Sequence, residues 1–124
     1  MKIEVSNGEI VDKLTIIQIK LDRISEEEKL INLRKEKKIL DDAVEKIMSK
    51  DDILVKKLYE VNTRLWDIED RIREMEKSKD FGQEFIDTAR AVYFSNDERA
   101  GLKKQINLQT GSDLIEEKSY EDYS

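Results

Sequence analysis

LVKKLYEVNTRLWDIEDRIREM, residues 54–75, carries the clearest structural signal in this chain, because its apolar residues recur four and three positions apart. The repeating apolar residues are Leu54, Leu58, Val61, Leu65, Ile68, Ile72 and Met75. Such spacing places these side chains on one face of a helix, as in helices that pack along a coiled-coil seam. We therefore predict a long helix over residues 52–78 that packs against other helices.

The composition of the chain favours long helices elsewhere too. Among 124 residues there is no proline, there are four glycines, and charged residues make up 42%. Chains of this kind are typical of long helices. Hydrophobic residues make up only 38%, so one chain builds a thin core. We expect a slender bundle that a second copy completes as a homodimer.

Three further helices are predicted from the apolar spacing. They span residues 7–24, 26–48 and 84–108. Ser6 and Ser25 each precede a glutamate by three positions, which is the spacing of a capping box. The apolar stripe changes phase near Ser25, which indicates a break there, with one uninterrupted helix as the alternative. Asp51 is expected to cap the third helix, and Gly111 is expected to end the fourth.

The predicted fold class is all-α: an elongated antiparallel bundle of three to four long helices in a single domain, residues 1–124. The second and third helices are joined by a short turn, so we expect them to form a hairpin. Residues 112–124 are polar apart from Leu114, Ile115 and two tyrosines. This segment is either a frayed tail or a strap that folds over the bundle.

The charge and the missing residue types exclude several functions. A net charge of −6 argues against nonspecific nucleic-acid binding, which needs a basic face. The chain has no cysteine and no histidine, so it lacks thiol chemistry, the commonest general base and the commonest zinc ligand. No apolar run has the length of a membrane span. We expect a cytoplasmic protein with no nucleic-acid partner, no membrane partner and no cofactor.

A second stripe on the third helix contains Trp66, the only tryptophan. This residue either covers the edge of the core or forms a wall of a ligand pocket. Acids three positions apart, which hold metal ions in some helical bundles, occur at Asp67–Asp70, Glu84–Asp87 and Glu9–Asp12. Acids are so frequent in this chain that chance and salt bridges account for these pairs, and we predict no metal site.

The fourth helix replaces part of its apolar stripe with polar residues. Phe85, Ala89 and Val92 are followed on the same face by Asn96 and Arg99. A buried polar side chain destabilises a fold unless it is paired. The polar cluster of this helix comprises Arg90, Tyr93, Asn96, Asp97, Arg99 and Lys103.

Two interpretations of this cluster remain open. In the first, Arg90 or Arg99 bridges Glu69 or Asp70 of the third helix, and the network sets the register of the helices. In the second, the cluster is an anion pocket beside Trp66, where arginine supplies bidentate donors.

Four blocks of the sequence resemble a family of small bacterial and phage-borne proteins of unknown function. The blocks are SNGEIVDKLTI, NTRLWDIED, ARAVYFSNDERAGLKKQIN and EEKSY, and the resemblance extends from Ile3 to Tyr120. Some relatives occur near glycan-assembly genes, which gives a context and no mechanism. The resemblance implies no activity, but it singles out the polar residues of the blocks and favours an ordered strap. These residues are Glu9, Asp12, Lys13, Trp66, Glu69, Asp70, Arg90, Tyr93, Asn96, Asp97, Arg99 and Lys103, with Glu116, Glu117, Lys118 and Tyr120 in the strap.

Three functions follow as hypotheses. The preferred one is a non-catalytic helical module that binds a small anionic ligand or a protein partner at the polar cluster. The first alternative is a small all-helical enzyme acting on an anionic metabolite or sugar-nucleotide. There Arg90, Arg99 and Lys103 would bind the anion, and Glu69 or Asp70 would act as base or metal ligand. The second alternative is a purely structural oligomerisation protein.

Overall fold

The computed structural model describes residues 1–122 and contains four helices, with no strand among those residues. The helices are α1 (Asn7–Arg23), α2 (Glu27–Glu45), α3 (Ile53–Lys77) and α4 (Gln83–Thr110). The prediction of an all-α bundle is confirmed. None of these helices combines the length and the apolarity that a membrane span requires. Residues 123 and 124 of the predicted C-terminal segment lie outside the described residues.

Capping at the ends of α1 explains where this helix begins and stops. The Ser6 hydroxyl accepts a hydrogen bond from the Glu9 N–H at 3.2 Å. The helix ends where Ile24 takes an extended conformation, with φ −95° and ψ 132°. The chain therefore breaks next to Ser25, but α2 starts after Glu26 without a side-chain capping bond. The capping box predicted at Ser25 is absent.

The other two helix ends depend on an aspartate and a glycine. Asp52 caps α3 by accepting a hydrogen bond from the Leu54 N–H at 2.9 Å. The residue predicted for this role, Asp51, lies one position too early. Gly111 ends α4 with a φ of 65°, a left-handed conformation that glycine adopts without the penalty of a Cβ atom.

The central helix of the bundle is α1, which is in contact with all three other helices. The helices α3 and α4 lie side by side, whereas the backbone of α2, among the four described helices, lies close to that of α1 alone. The helix pairs are therefore α1–α2 and α3–α4, in place of the hairpin expected between the second and third helices. Near its end, α2 contributes Val44 to the core cluster that contains Leu54 and Leu58.

The main core lies where α1, α3 and α4 meet. The α3 seam contributes the buried residues Leu54, Leu58 and Val61, whereas Leu65 and Ile72 are half-buried. The complete cluster of buried apolar residues is Val11, Leu14, Val44, Leu54, Val55, Leu58, Val61, Leu102 and Ile106.

The helices α1 and α4 come into backbone contact at Gly8. A Cβ atom on this residue would lie 2.4 Å from the carbonyl oxygen of Lys103. The Gly8 N–H also donates to Oδ1 of Asn107 at 2.6 Å. The two helices run antiparallel. Asp12 lies one turn after Gly8 on α1, and Arg99 lies one turn before Lys103 on α4, so Asp12 and Arg99 face each other.

Residues 112–122, which we call the strap, fold back along α4 without helix or strand. The Ser112 hydroxyl accepts a hydrogen bond from the Asn7 N–H at 3.0 Å. Glu116 accepts one from Lys103 at 3.1 Å. Beyond Glu116, Tyr120 shares the lining of a cavity with residues of α4. The strap therefore follows the surface of the bundle.

Candidate functional site

The polar cluster of α4 is organised around Asp12 of α1, whose side chain has no solvent exposure. Arg99 donates from Nε to Oδ1 of Asp12 at 2.9 Å and from Nη2 to Oδ2. This two-point geometry is the strongest arrangement of an arginine–carboxylate pair. The hydrogen bond that Arg99 donates to Asp12 raises the pKa of Arg99 above its ordinary value, which keeps the guanidinium charged.

Two uncharged side chains complete the surroundings of Asp12. Asn62 of α3 donates through Nδ2 to Oδ1 of Asp12 and to the hydroxyl of Thr15, both at 2.8 Å. The Thr15 hydroxyl in turn donates to the backbone oxygen of Asp12 at 2.7 Å. The buried carboxylate therefore connects α1, α3 and α4.

Lys103 forms a second ion-pair group one turn along α4. Its Nζ donates to Glu9 at 2.6 Å and to Glu116 of the strap at 3.1 Å. Burial lowers the pKa of Lys103, but the hydrogen bonds to Glu9 and Glu116 outweigh burial, and the pKa lies above its ordinary value. The hydrogen bond that Lys103 donates to Glu116 holds the pKa of Glu116 below its ordinary value. Lys103 is thus a structural cation that joins the strap to α1.

A half-open cavity of about 430 Å³ lies beside this network. Asn96 and Arg99 of α4 line it together with Trp66 of α3, so part of the polar cluster does open onto a space next to the tryptophan. The complete lining is Ile16, Ile19, Asn62, Leu65, Trp66, Glu69, Asp70, Arg73, Val92, Asn96 and Arg99. We call this space the Trp66 cavity.

The charges that line the Trp66 cavity are largely compensated. Arg99 is bound by Asp12, and Arg73 is bound by Glu69 at 2.8 Å. Asp70 adds a further carboxylate to the lining. With Asp12 included, acids outnumber bases, so the cavity does not present the uncompensated positive charge that an anion pocket needs.

The arginines of α4 have partners other than the predicted ones. The expected bridge from Arg90 or Arg99 to Glu69 or Asp70 is wrong, because Arg99 binds Asp12 on α1. Arg90 is exposed: its Nε donates to the Tyr93 hydroxyl at 3.2 Å, and its guanidinium carbon lies 5.8 Å from the Phe94 ring centre.

The remaining candidate residues fall into separate places. Tyr93, Asp97, Lys118 and Tyr120 line a second cavity between α4 and the strap. Glu117 is exposed in the strap. The structure thus divides most of the predicted set between an ion-pair network, the Trp66 cavity and the space under the strap. Arg90 and Glu117 are exposed outside all three.

In each acid pair considered as metal ligands, at least one acid is engaged in another bond. Asp67 accepts from Arg23 at 2.7 Å, and Glu84 accepts from Arg71 at 2.8 Å. Asp87 accepts from Gln83 at 2.8 Å. Within residues 1–122, no group of three or more acids is placed to hold a metal ion.

Sequence reasoning missed the roles of Asn62 and Thr15 in this site. A signal for them exists on α1, where Gly8, Asp12, Thr15 and Ile19 are buried at spacings of four, three and four. This second buried stripe indicates that α1 is enclosed on two sides. The partners predicted for Arg99 were acids of the third helix, so no buried partner was expected on α1.

The chain matches a protein family over residues 1–123, and the description of that family is "family of unknown function (DUF6165)". The match agrees with the resemblance to a family of unknown function drawn from the four sequence blocks. No curated protein and no solved structure matches the chain.

Proposed function

The chain belongs to DUF6165, a family whose function is unknown, and we propose that it is a non-catalytic helical module that binds a small ring-containing ligand. The supporting observation is that Trp66, Asn96 and Arg99 line one cavity of about 430 Å³. Small-molecule sites measure roughly 300–1,000 Å³ and combine apolar walls with a few polar groups. This cavity has both features, since Ile16, Leu65 and Val92 add apolar surface to the polar residues.

The charges of the cavity favour a neutral or zwitterionic ligand over an anion. The bonds from Arg99 to Asp12 use one N–H of Nε and one of Nη2, which leaves both N–H groups of Nη1 and the second N–H of Nη2 as donors of the guanidinium. Asn96 offers both a donor and an acceptor, and Asp70 offers an acceptor on the opposite helix. A ligand with a flat apolar ring, a hydrogen-bond acceptor and an amine or hydroxyl donor complements this set.

A binding role without catalysis also accords with the state of the charged groups. A general base must be ready to take a proton from the substrate. Of the two bases predicted for an enzyme, Glu69 is already bonded to Arg73, and Asp70 has the acceptor role in the cavity described above. Of the three cations considered for anion binding, Arg99 and Lys103 are likewise bonded to acids, and Arg90 is exposed and lies outside the lining of the Trp66 cavity.

A thermal-shift screen tests this function. Aromatic compounds of similar ring size are compared in three sets: zwitterions, neutral compounds and anions. We expect zwitterions or neutral compounds to raise the melting temperature. Trp66→Ala should abolish the shift, and Arg64→Ala should leave it unchanged, because Arg64 pairs with Glu98 away from the cavity lining. Stabilisation by anions alone would contradict the proposed ligand and would support the earlier anion-pocket hypothesis.

One observation favours a purely structural role as the second candidate. Among the described residues, no buried polar side-chain atom lacks a hydrogen-bond partner. A network in which every polar group is hydrogen-bonded contributes to stability and to helix register. Those contributions are sufficient to explain the presence of Asp12, Asn62 and Arg99 without a ligand. If no compound in the screen stabilises the protein, this role replaces the binding function.

A further inference from the structure

The second cavity, under the strap, measures about 650 Å³ and is formed by two segments of the chain. One wall is a single stretch of α4, and the other is the end of the strap. The lining residues are Tyr93, Asn96 and Asp97 on α4 and Lys118, Tyr120 and Glu121 on the strap. This strap cavity is large enough for a small molecule.

Aromatic rings and carboxylates define the chemistry of the strap cavity. Tyr93 and Tyr120 contribute a ring from each wall, and Asp97 and Glu121 contribute a carboxylate from each wall. The electron-rich face of an aromatic ring attracts an ammonium group, and aromatic residues of this kind recognise quaternary ammonium ligands. Carboxylates in the same cavity add to that preference and disfavour anions.

The protein itself places an ammonium group in this environment. Nζ of Lys118 lies 5.6 Å from the centre of the Tyr120 ring, within the range of a cation–π contact. Tyr120 is 78% exposed, so the contact is at the mouth of the cavity and not in a sealed interior. The Lys118 side chain therefore stands where the amine of a ligand would compete with it.

From these contacts we propose that the strap cavity is a binding site for an organic ammonium ion, and that Lys118 occupies this site in the unliganded protein. The ligand's cation replaces the Lys118 ammonium on Tyr120 and lies between the two carboxylate-bearing walls. The proposal goes beyond the Trp66 cavity and does not depend on it, because the two cavities share only Asn96.

Choline and its uncharged tert-butyl analogue test the proposal, since they differ in charge and hardly in shape. Each compound is titrated into the full-length protein, and the backbone amide signals of residues 116–122 are followed by NMR. Choline should shift these signals saturably, and the analogue should bind more weakly. Equal binding of the two compounds, or no saturable shift with choline, would overturn the proposal.

Two pairs of variants identify the residues responsible. Tyr120→Leu should weaken choline binding roughly two- to fivefold, the effect of one exposed cation–π contact, whereas Tyr120→Phe should bind choline like the parent. Lys118→Met should tighten binding because it removes the internal competitor. Lys104→Met, at an exposed lysine outside the cavity, controls for the change in net charge.

The variants also separate this proposal from the function proposed for the Trp66 cavity. Trp66→Ala should leave choline binding unchanged, so a failure of the Trp66 ligand screen does not affect this site. If Lys118→Met binds choline no more tightly than Lys104→Met, the role of Lys118 as occupant of the site is wrong.

Discussion

Asp12 has no solvent exposure, and it accepts hydrogen bonds from both Arg99 and Asn62. The pair with Arg99 connects the central helix α1 to α4, and removal of the arginine would leave a buried carboxylate without its counter-ion. Such a loss is far more damaging than the loss of an exposed pair. Arg99 therefore does not weaken the bundle, because α1 supplies the compensating charge. Asn96 instead lines the Trp66 cavity.

Arg99→Ala should lower the free energy of unfolding by at most about 3–5 kcal/mol, the cost of breaking a fully buried pair, because Asp12 is fully buried whereas the Arg99 side chain is 29% exposed. Arg64→Ala removes a pair whose side chains are 49% and 51% exposed and should cost less than about 1 kcal/mol. Urea denaturation of both variants measures the difference. Similar losses for the two variants would show that the Asp12 pair does not have the structural role assigned to it.

The two helical glycines Gly8 and Gly101 provide a second comparison at the scale of a residue. Gly8→Ala places a Cβ atom 2.4 Å from the Lys103 carbonyl oxygen, and overpacking of this kind costs about 1–3 kcal/mol. At Gly101, a Cβ atom would meet nothing within 4 Å, so alanine should stabilise the helix by up to about 1 kcal/mol. Thermal denaturation should thus show shifts of opposite sign, and a stabilised Gly8→Ala variant would refute the close contact between α1 and α4.

Polar contacts hold the strap in place, whereas apolar packing holds the helices together. Leu114 and Ile115, the apolar residues expected to anchor it, are 43% and 40% exposed. The main attachments in the described residues are Ser112 to Asn7 and Glu116 to Lys103. Since the second attachment is an ion pair, the position of the strap should depend on pH and salt.

The pKa shifts of Glu116 and Lys103 define the pH range over which the strap stays attached. The pKa of Glu116 is lowered from 4.5 by its hydrogen bond to Lys103, so its contribution is present above pH 4.5 and is lost as the pH falls through the lowered value. The pKa of Lys103 is raised from 10.5, so its contribution is present below pH 10.5 and is lost as the pH rises through the raised value. The strap should therefore stay attached across the neutral range.

Acid should release the strap, and NMR signals of residues 114–120 recorded against pH will report that release. Glu116→Gln should give the signals of the released strap at neutral pH and remove the acid transition. Glu117→Gln, at the adjacent exposed glutamate, should retain it. A transition that persists in Glu116→Gln would mean that another group holds the strap.

For the whole molecule, the sequence predicts the number and type of elements better than their packing. The spacing of apolar residues within a segment predicts each helix, as in the seam from Leu54 to Met75, because helix formation depends on neighbours three and four positions away. The partner of Arg99 is 87 positions away at Asp12, and local spacing contains no information on such a contact. The central position of α1 determines that pairing, and a wide buried face on α1 is its only local sign.

The same limit applies to the candidate site. The sequence predicts that Trp66, Asn96 and Arg99 are unusual, and the structure places all three on one cavity. The charge balance around these three residues depends on Asp12, which lies on α1. The residues of the polar cluster on α4 do not indicate that contact. An anion pocket was therefore a reasonable prediction from α4 alone, and the full set of charges disfavours it.

The homodimer predicted from the thin core would have a suitable interface at the end of the bundle where α3 and α4 extend past α1. Arg23, the last residue of α1, bonds to Asp67, and α3 continues beyond this point to Lys77. There α3 is paired with the start of α4 by the bond between Arg71 and Glu84. Two apolar residues in this region, Phe81 and Ile86, are 51% and 48% exposed. The same ends of α3 and α4 from a second copy would pack here and complete a four-helix bundle. Charged residues of both signs would lie at that interface.

We therefore expect the protein to sediment as a dimer that dissociates on dilution, and Ile86→Asp to shift it towards the monomer because the aspartate places a charge in the apolar contact. Ile39→Asp is the matched control, because Ile39 is 70% exposed on α2, away from this end. Sedimentation velocity over a range of concentrations distinguishes the variants. A parent protein that is monomeric at every concentration would rule out self-association. Equal dissociation by Ile39→Asp would place the interface elsewhere.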